Sequence, residues 1–122
     1  MTARHEASVG APWTAGLPGG IIWLMIAAFS VSPGGLGESV SEWVSEAVKL
    51  VRASGLPNET NAMFTNVEGE WDEVMALIKA CVMKVAEQAP RVELMVKVDY
   101  RPGVTGALRG KVEAIERRVG ST

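Results

Sequence analysis

Asn61, Met63 and Thr65 stand two residues apart in a short extended stretch, and on a straight strand they would share one face. An amide, a soft thioether and a hydroxyl on one face can frame a flat heterocycle. The competing use is hairpin pairing and core filling, and a bulge between two short strands would break the shared face. Asp99 and Glu93 alternate with Lys97 along a second strand. There a carboxylate can accept from a cationic or amine-bearing ligand, or pair with Lys97 at a contact between copies. Both uses stay open for Asp99, whereas the pairing reading is favoured for Glu93. Ser30 and Ser32 place hydroxyls on the polar side of an early strand. The glycine-rich stretch from Pro33 to Gly37, followed by Ser39, could present backbone N–H groups at a helix start. It lacks the lysine and spacing of a P-loop and is not GxGxxG, so for phosphate it reads as a strand-to-helix turn. Ser39 is first a cap.

Catalytic groups are scarce. The sole histidine, His5, lies in an unpatterned N-terminal stretch. Cys81 sits inside an apolar helical stripe, as a small core residue would. Glu68-Gly69-Glu70 reads as a turn with helix-start chemistry, because acidic groups suit the positive end of the helix dipole. Met75, Met83 and Met95 carry no copper-site spacing.

These residues need elements to hold them. Ile22 to Ser32 alternates as a strand and is expected to end at Pro33-Gly34-Gly35. Ser39 and Glu42 form a capping box for a helix whose apolar stripe is Val40, Val44, Ala47, Val48 and Val51, closed by Gly55. Two short extended pieces follow, Asn58 to Met63 and Phe64 to Glu68. A second helix from about Glu70 carries Val74, Leu77, Ile78, Cys81, Val82 and Val85 on one side and stops at Pro90. Trp71 should pack the start of that helix on the sheet, and Trp43, off its own stripe, suits a contact between copies. From Arg91 to Tyr100, Val92, Leu94, Val96 and Val98 alternate with polar residues. A glycine-containing loop then leads to a last helix with Leu108, Val112, Ile115 and Val119 on one face.

The order strand, helix, strand, strand, helix, strand predicts an α+β, ferredoxin-like βαββαβ fold with an extra C-terminal helix. Both long helices cover one sheet face. The other face carries Ser30, Ser32, Glu93, Met95, Lys97 and Asp99, a mixture that suits a second copy.

With 122 residues the chain is long enough for one domain, here residues 21–122 behind a flexible extension at 1–20. Ala, Gly, Thr and Pro dominate residues 7–20, without a helical or strand period. A signal peptide is disfavoured, because Pro18-Gly19-Gly20 precedes the apolar run and cleavage after Ala28 would remove a needed strand. The run is also shorter than the about 20 residues of a membrane helix. The net charge of −2, with no basic cluster, argues against a general nucleic-acid binder. One cysteine excludes an internal disulfide and makes a reducing, cytoplasmic setting the default.

Five segments, in this order, carry a family resemblance: Phe29-Ser30-Val31-Ser32-Pro33, Gly37-Glu38-Ser39-Val40-Ser41-Glu42, Glu68-Gly69-Glu70-Trp71-Asp72-Glu73-Val74-Met75, Ala89-Pro90-Arg91-Val92 and Lys111-Val112-Glu113. From about Met25 to about Val119 the chain resembles the thiamine-binding protein family. The resemblance lies in order and spacing rather than in one chemical fingerprint, and the loop from Arg101 to Gly106 departs from the family's usual pattern. It implies a non-enzymatic ferredoxin-like protein that assembles as a homo-oligomer, a tetramer in the leading form. In the family the first strand lies close to the start methionine, which implies Met25 as the native start and residues 1–24 as an upstream extension. It also implies a small heterocycle as ligand, thiamine or its hydroxymethylpyrimidine half, with no required cofactor and no metal, nucleic-acid or membrane partner. On that reading the ligand lies near the end of the first strand against Ser30, Ser32, Asn61, Met63 and Thr65. The loop containing Gly37 and Ser39 covers it, and Asp99 answers the thiazolium charge or the aminopyrimidine donor. Two alternatives are a cofactor-free ferredoxin-like enzyme, for which Tyr100, Asp99 and Asn61 are the available groups, and a ligand-free regulatory or scaffolding oligomer.

Overall fold

A computed structural model describes residues 24–34, 41–101 and 106–120, with the side chains of residues 41 and 43 excepted. The expected extension at 1–20, the loop carrying Gly37 and Ser39, and the expected role of Trp43 therefore lie outside what is described. Strand β1 (Leu24–Gly34) is followed by helix α1 (Ser41–Ala53), the short strand β2 (Asn58–Thr60) and β3 (Thr65–Glu70). Helix α2 (Trp71–Ala86), strand β4 (Arg91–Tyr100) and helix α3 (Ala107–Gly120) complete the chain. The sheet order is β2-β3-β1-β4 and every neighbouring pair is antiparallel. This is the ferredoxin-like arrangement, with a helix appended.

Alternation decides which way β1 faces. Met25, Ala27, Phe29, Val31 and Pro33 are buried under the helices, while Ser30 is half-buried and Ser32 exposed on the other side. The expected stop at Pro33-Gly34 does not occur, because Pro33 pairs with Val92 and Gly34 with Arg91. Beyond the Phe29–Thr65 rung, β1 has a described neighbour on one side only. A proline, which cannot donate to a ladder, is tolerated on such an edge.

Helix α1 ends as expected. Gly55 adopts φ +81°, Ser54 Oγ donates to Val51 O at 2.6 Å, and Leu56 N–H donates back to Ser54 Oγ at 3.1 Å. Helix α2 buries Val74, Ile78, Cys81 and Val85, one per turn, with Leu77 and Val82 half-buried at the margins. Cys81 is fully buried and its thiol points at Ala47 O of α1, 3.5 Å away, so it packs the two helices together. Burial pushes that thiol from 9.0 up to about 11. Trp71 stacks edge-on to Tyr100, ring centroids 6.1 Å apart, as expected of a residue that packs the start of α2 on the sheet.

Two expectations need correction. Glu68-Gly69-Glu70 is not a turn but the end of β3, paired with Ile26, Met25 and Leu24. Gly69 is needed there because a Cβ would lie 3.1 Å from Val74 and 3.2 Å from Leu56, where the helix layer crosses the strand. Leu94 and Val96, expected as core, are 44% and 38% exposed. They do face the helix side, opposite Val31 and Phe29, but β4 is the outermost strand and α1 and α2 pack most heavily on β1.

Helix α3 crosses to the opposite face of the sheet. The Glu68 carboxylate, in a residue only 3% exposed, accepts the backbone N–H of Ala107 at 2.8 Å. It satisfies a helix-start donor and favours the positive end of the α3 dipole. Leu108 is buried beneath the helix, and Lys111 Nζ pairs with the Asp99 carboxylate. Val112, Ile115 and Val119 stay exposed. None of the described helices is long and apolar enough to cross a membrane.

Candidate functional site

Asn61 does not lie in a straight strand. Its Oδ1 accepts the backbone N–H groups of Met63 and Phe64, both at 2.9 Å, and its own N–H donates to Phe64 O. The residues between β2 and β3 thus form a tight turn held by an asparagine side chain, a common use of that residue. The turn breaks the shared face expected of Asn61, Met63 and Thr65. Thr65 pairs with Phe29 and faces the helices, buried, while Met63 projects from the turn, 73% exposed.

The turn nevertheless gathers these residues again. Ser30, Asn61, Met63 and Thr65 all line one pocket of about 110 Å³ between α1 and the β2–β3 hairpin. Phe29 and Phe64 supply aromatic walls and Val44 and Val48 an aliphatic one. The Thr60 and Thr65 hydroxyls lie 3.4 Å apart at its rim. The pocket sits where the hairpin ends and β1 loses its described neighbour, so backbone from Ser30 onward with no partner on that side among the described residues borders it. No charged residue is among its described walls. It offers hydroxyls, an amide whose Nδ2 is left to donate, and flat apolar surface.

The remaining expected residues fall elsewhere. Ser32 is exposed on the far side of the sheet, two residues from Ser30 and outside the pocket. Asp99 pairs across β1 with Ile26, so it occupies the opposite face of the sheet from Phe29 and Thr65. There it borders a wider cleft of about 580 Å³ between α3 and the hairpin, together with Glu59, Asn61, Asn66, Lys97 and Lys111. The expected single site is therefore two concavities on opposite faces, with Asn61 reaching both. The sequence reading missed Glu59 and Asn66. Their signal was the position of α3, which walls the cleft and which apolar periodicity alone could not assign to a face.

Among the described residues no group of three or more His, Cys, Asp or Glu side chains could hold a metal. The raised pKa of the Cys81 thiol, caused by burial, is that of a packed core residue rather than of an activated nucleophile.

The model of the family described as thiamine-binding protein matches residues 27–116. A UPF0045 protein of Mycobacterium bovis is 55% identical over 94 residues, covering 76% of this chain and 92% of that relative. A UPF0045 protein of Synechocystis is 36% identical over 93 residues, 75% of this chain and 77% of the relative. Among solved structures, a hypothetical protein of the archaeon Methanocaldococcus superimposes with a TM-score of 0.72 at 33% identity, covering 77% of this chain and 97% of the other.

Proposed function

We propose that this chain, which belongs to the thiamine-binding protein family, is a non-enzymatic binding protein that holds a flat nitrogen heterocycle in the pocket between α1 and the β2–β3 hairpin. The family membership supports a thiamine-type ligand. The observation that carries the choice of pocket is the convergence of Ser30, Asn61, Met63 and Thr65 around Phe29 and Phe64. An aminopyrimidine has two faces for aromatic and thioether contact, and an edge of donors and acceptors. Thr60 and Thr65 hydroxyls and the β1 backbone from Ser30 onward match its donors, and Asn61 Nδ2 its ring acceptors. A small pocket of mixed apolar and polar lining suits the pyrimidine half better than a doubly charged phosphate ester. The rest of thiamine would extend outward past the exposed Met63.

A second reading has its own support. The cleft on the opposite face brings the Asp99 and Glu59 carboxylates to a space wide enough for whole thiamine, and a carboxylate would answer its thiazolium charge. There Asp99 is already engaged by Lys111, which weakens the case.

Thermal unfolding with thiamine, its phosphates and hydroxymethylpyrimidine tests the assignment, because a ligand that binds only the native state raises Tm by mass action. The reading expects thiamine and hydroxymethylpyrimidine to raise Tm and the two to compete. Binding of thiamine without any binding of hydroxymethylpyrimidine would move the site to the carboxylate cleft, and no shift with any of them would remove the ligand class. An oligomer, with a tetramer as the leading form, belongs to the same proposal, supported by the exposed apolar groups on β4 and α3.

A further inference from the structure

We propose that the cleft beneath α3 is a second binding site, separate from the heterocycle pocket, and that it takes a short zwitterion of dipeptide size, with its ammonium on Glu59 and its carboxylate on Lys97. This stands independently of the pocket reading. Strand register builds the floor. Glu59 pairs with Asn66, Asn66 with Ala28, and Ala28 with Lys97, so these residues form one row across the whole sheet. All of them border the cleft of about 580 Å³ on the face opposite the pocket. The row reads carboxylate, amide, methyl, ammonium. Ala28 has the shortest side chain and leaves the middle of the floor low. Ile26, the next residue of β1 on that face, and Leu108 and Val112 of α3 add apolar surface beside and above it.

The charges of this row are unanswered, unlike those of its neighbour. In the adjoining row Glu68 and Asp99 flank Ile26. There the Glu68 carboxylate accepts the Ala107 N–H, and Asp99 pairs with Lys111. Among the described residues neither Glu59 nor Lys97 has an ion-pair partner, and the Asn66 side-chain amide has no hydrogen bond. One free charge of each sign, with an amide and an apolar floor between them, is the complement of a molecule carrying both charges on a short body.

The spacing sets the size of that body. Glu59 and Lys97 stand three strand spacings apart, roughly 14 Å between Cα atoms. Both side chains reach inward over part of that distance, and the ligand spans the rest above Asn66 and Ala28. Two residues of extended chain span about 7 Å. The peptide bond of a dipeptide then meets the Asn66 amide, which both donates and accepts, and its side chains lie against Ile26 and Val112. A lone cation or a lone anion would answer one end of the row and leave the other charge facing it. A zwitterion also leaves the Lys111–Asp99 pair in place, and with it the flank of α3.

Titration of the full chain with L-alanyl-L-alanine, followed through backbone amide NMR shifts, tests this. Two blocked forms serve as controls: the N-acetyl dipeptide, which lacks the ammonium, and the dipeptide amide, which lacks the carboxylate. The free dipeptide is expected to bind and to shift the row residues and the first turns of α3. Blocking either end should weaken binding about tenfold. Glu59→Gln should weaken the free dipeptide by a similar factor and cost the N-acetyl form nothing further. Lys97→Gln should weaken the free dipeptide likewise and cost the amide nothing further. Both positions are exposed, so the variants should fold. Full affinity for the amide would make the cleft a site for cations alone and overturn the proposal. Equal affinity for all three peptides, no binding at millimolar concentration, or variants that weaken free and blocked forms alike would overturn it as well.

Discussion

Cys81 shows what a single buried atom settles. Its sulfur lies in the contact between α1 and α2, fully buried and directed at Ala47 O. Cys81→Ser shortens the side chain and leaves a hydroxyl facing a carbonyl that already serves its own helix. Denaturant unfolding should register a loss of about 1–3 kcal/mol, with ligand affinity unchanged. The thiol also makes stability depend on alkaline pH. Burial raises its pKa in the folded state from 9.0 to about 11, so between those values the unfolded chain ionises while the folded chain does not. The contribution is present below pH 9.0 and fades as pH rises toward 11. Cys81→Ala should flatten the alkaline part of the stability curve relative to wild type, and an unchanged slope would contradict the assignment. The identity of this residue as core was legible from its place in the apolar stripe. The fate of Asn61, Met63 and Thr65 was not, because an asparagine turn and a straight strand share the same residue types, and only the bonds from Asn61 Oδ1 distinguish them.

At the scale of elements, α3 depends on very little. Its start is held by the Glu68 carboxylate, its underside by Leu108 and its flank by the Lys111–Asp99 pair. Glu68→Ala removes the acceptor for Ala107 N–H and leaves a cavity beneath the first turn. Hydrogen exchange should quicken across residues 107–120 while the buried turns of α2 keep their protection. A uniform loss of protection would show instead that Glu68 supports the whole fold. Gly69→Ala should act on the other layer. Its Cβ meets Val74 and Leu56 closer than ordinary contact, and the crowding should lower stability by about 1–3 kcal/mol in a melting or denaturant measurement. Periodicity located the described elements to within a few residues, since helix and strand spacings are local properties. It placed the end of β1 too early and read the end of β3 as a turn. Pairing with β4 and β1 extends both segments, and pairing is not written in either segment alone.

The molecule as a whole is a ferredoxin-like sheet with two helices on one face, a third on the other, and apolar residues left exposed along β4 and α3. The alternation in β4 announced a buried strand, yet Leu94 and Val96 are covered only if another surface meets that edge. Sequence could name the faces of the strand but not its position at the rim of the sheet. The same gap split the expected site in two. Ser30, Asn61, Met63 and Thr65 meet in the helix-side pocket, and Asp99 lies across the sheet with Lys111. Calorimetric titration of hydroxymethylpyrimidine into wild type, Thr65→Val and Asp99→Asn tests the central claim most directly. Thr65→Val keeps the shape of a buried residue and removes one hydroxyl, so affinity should fall by about 1 kcal/mol, roughly fivefold. Asp99→Asn should leave affinity unchanged. An affinity lost with Asp99→Asn and kept with Thr65→Val would contradict the account and place the ligand in the cleft beneath α3.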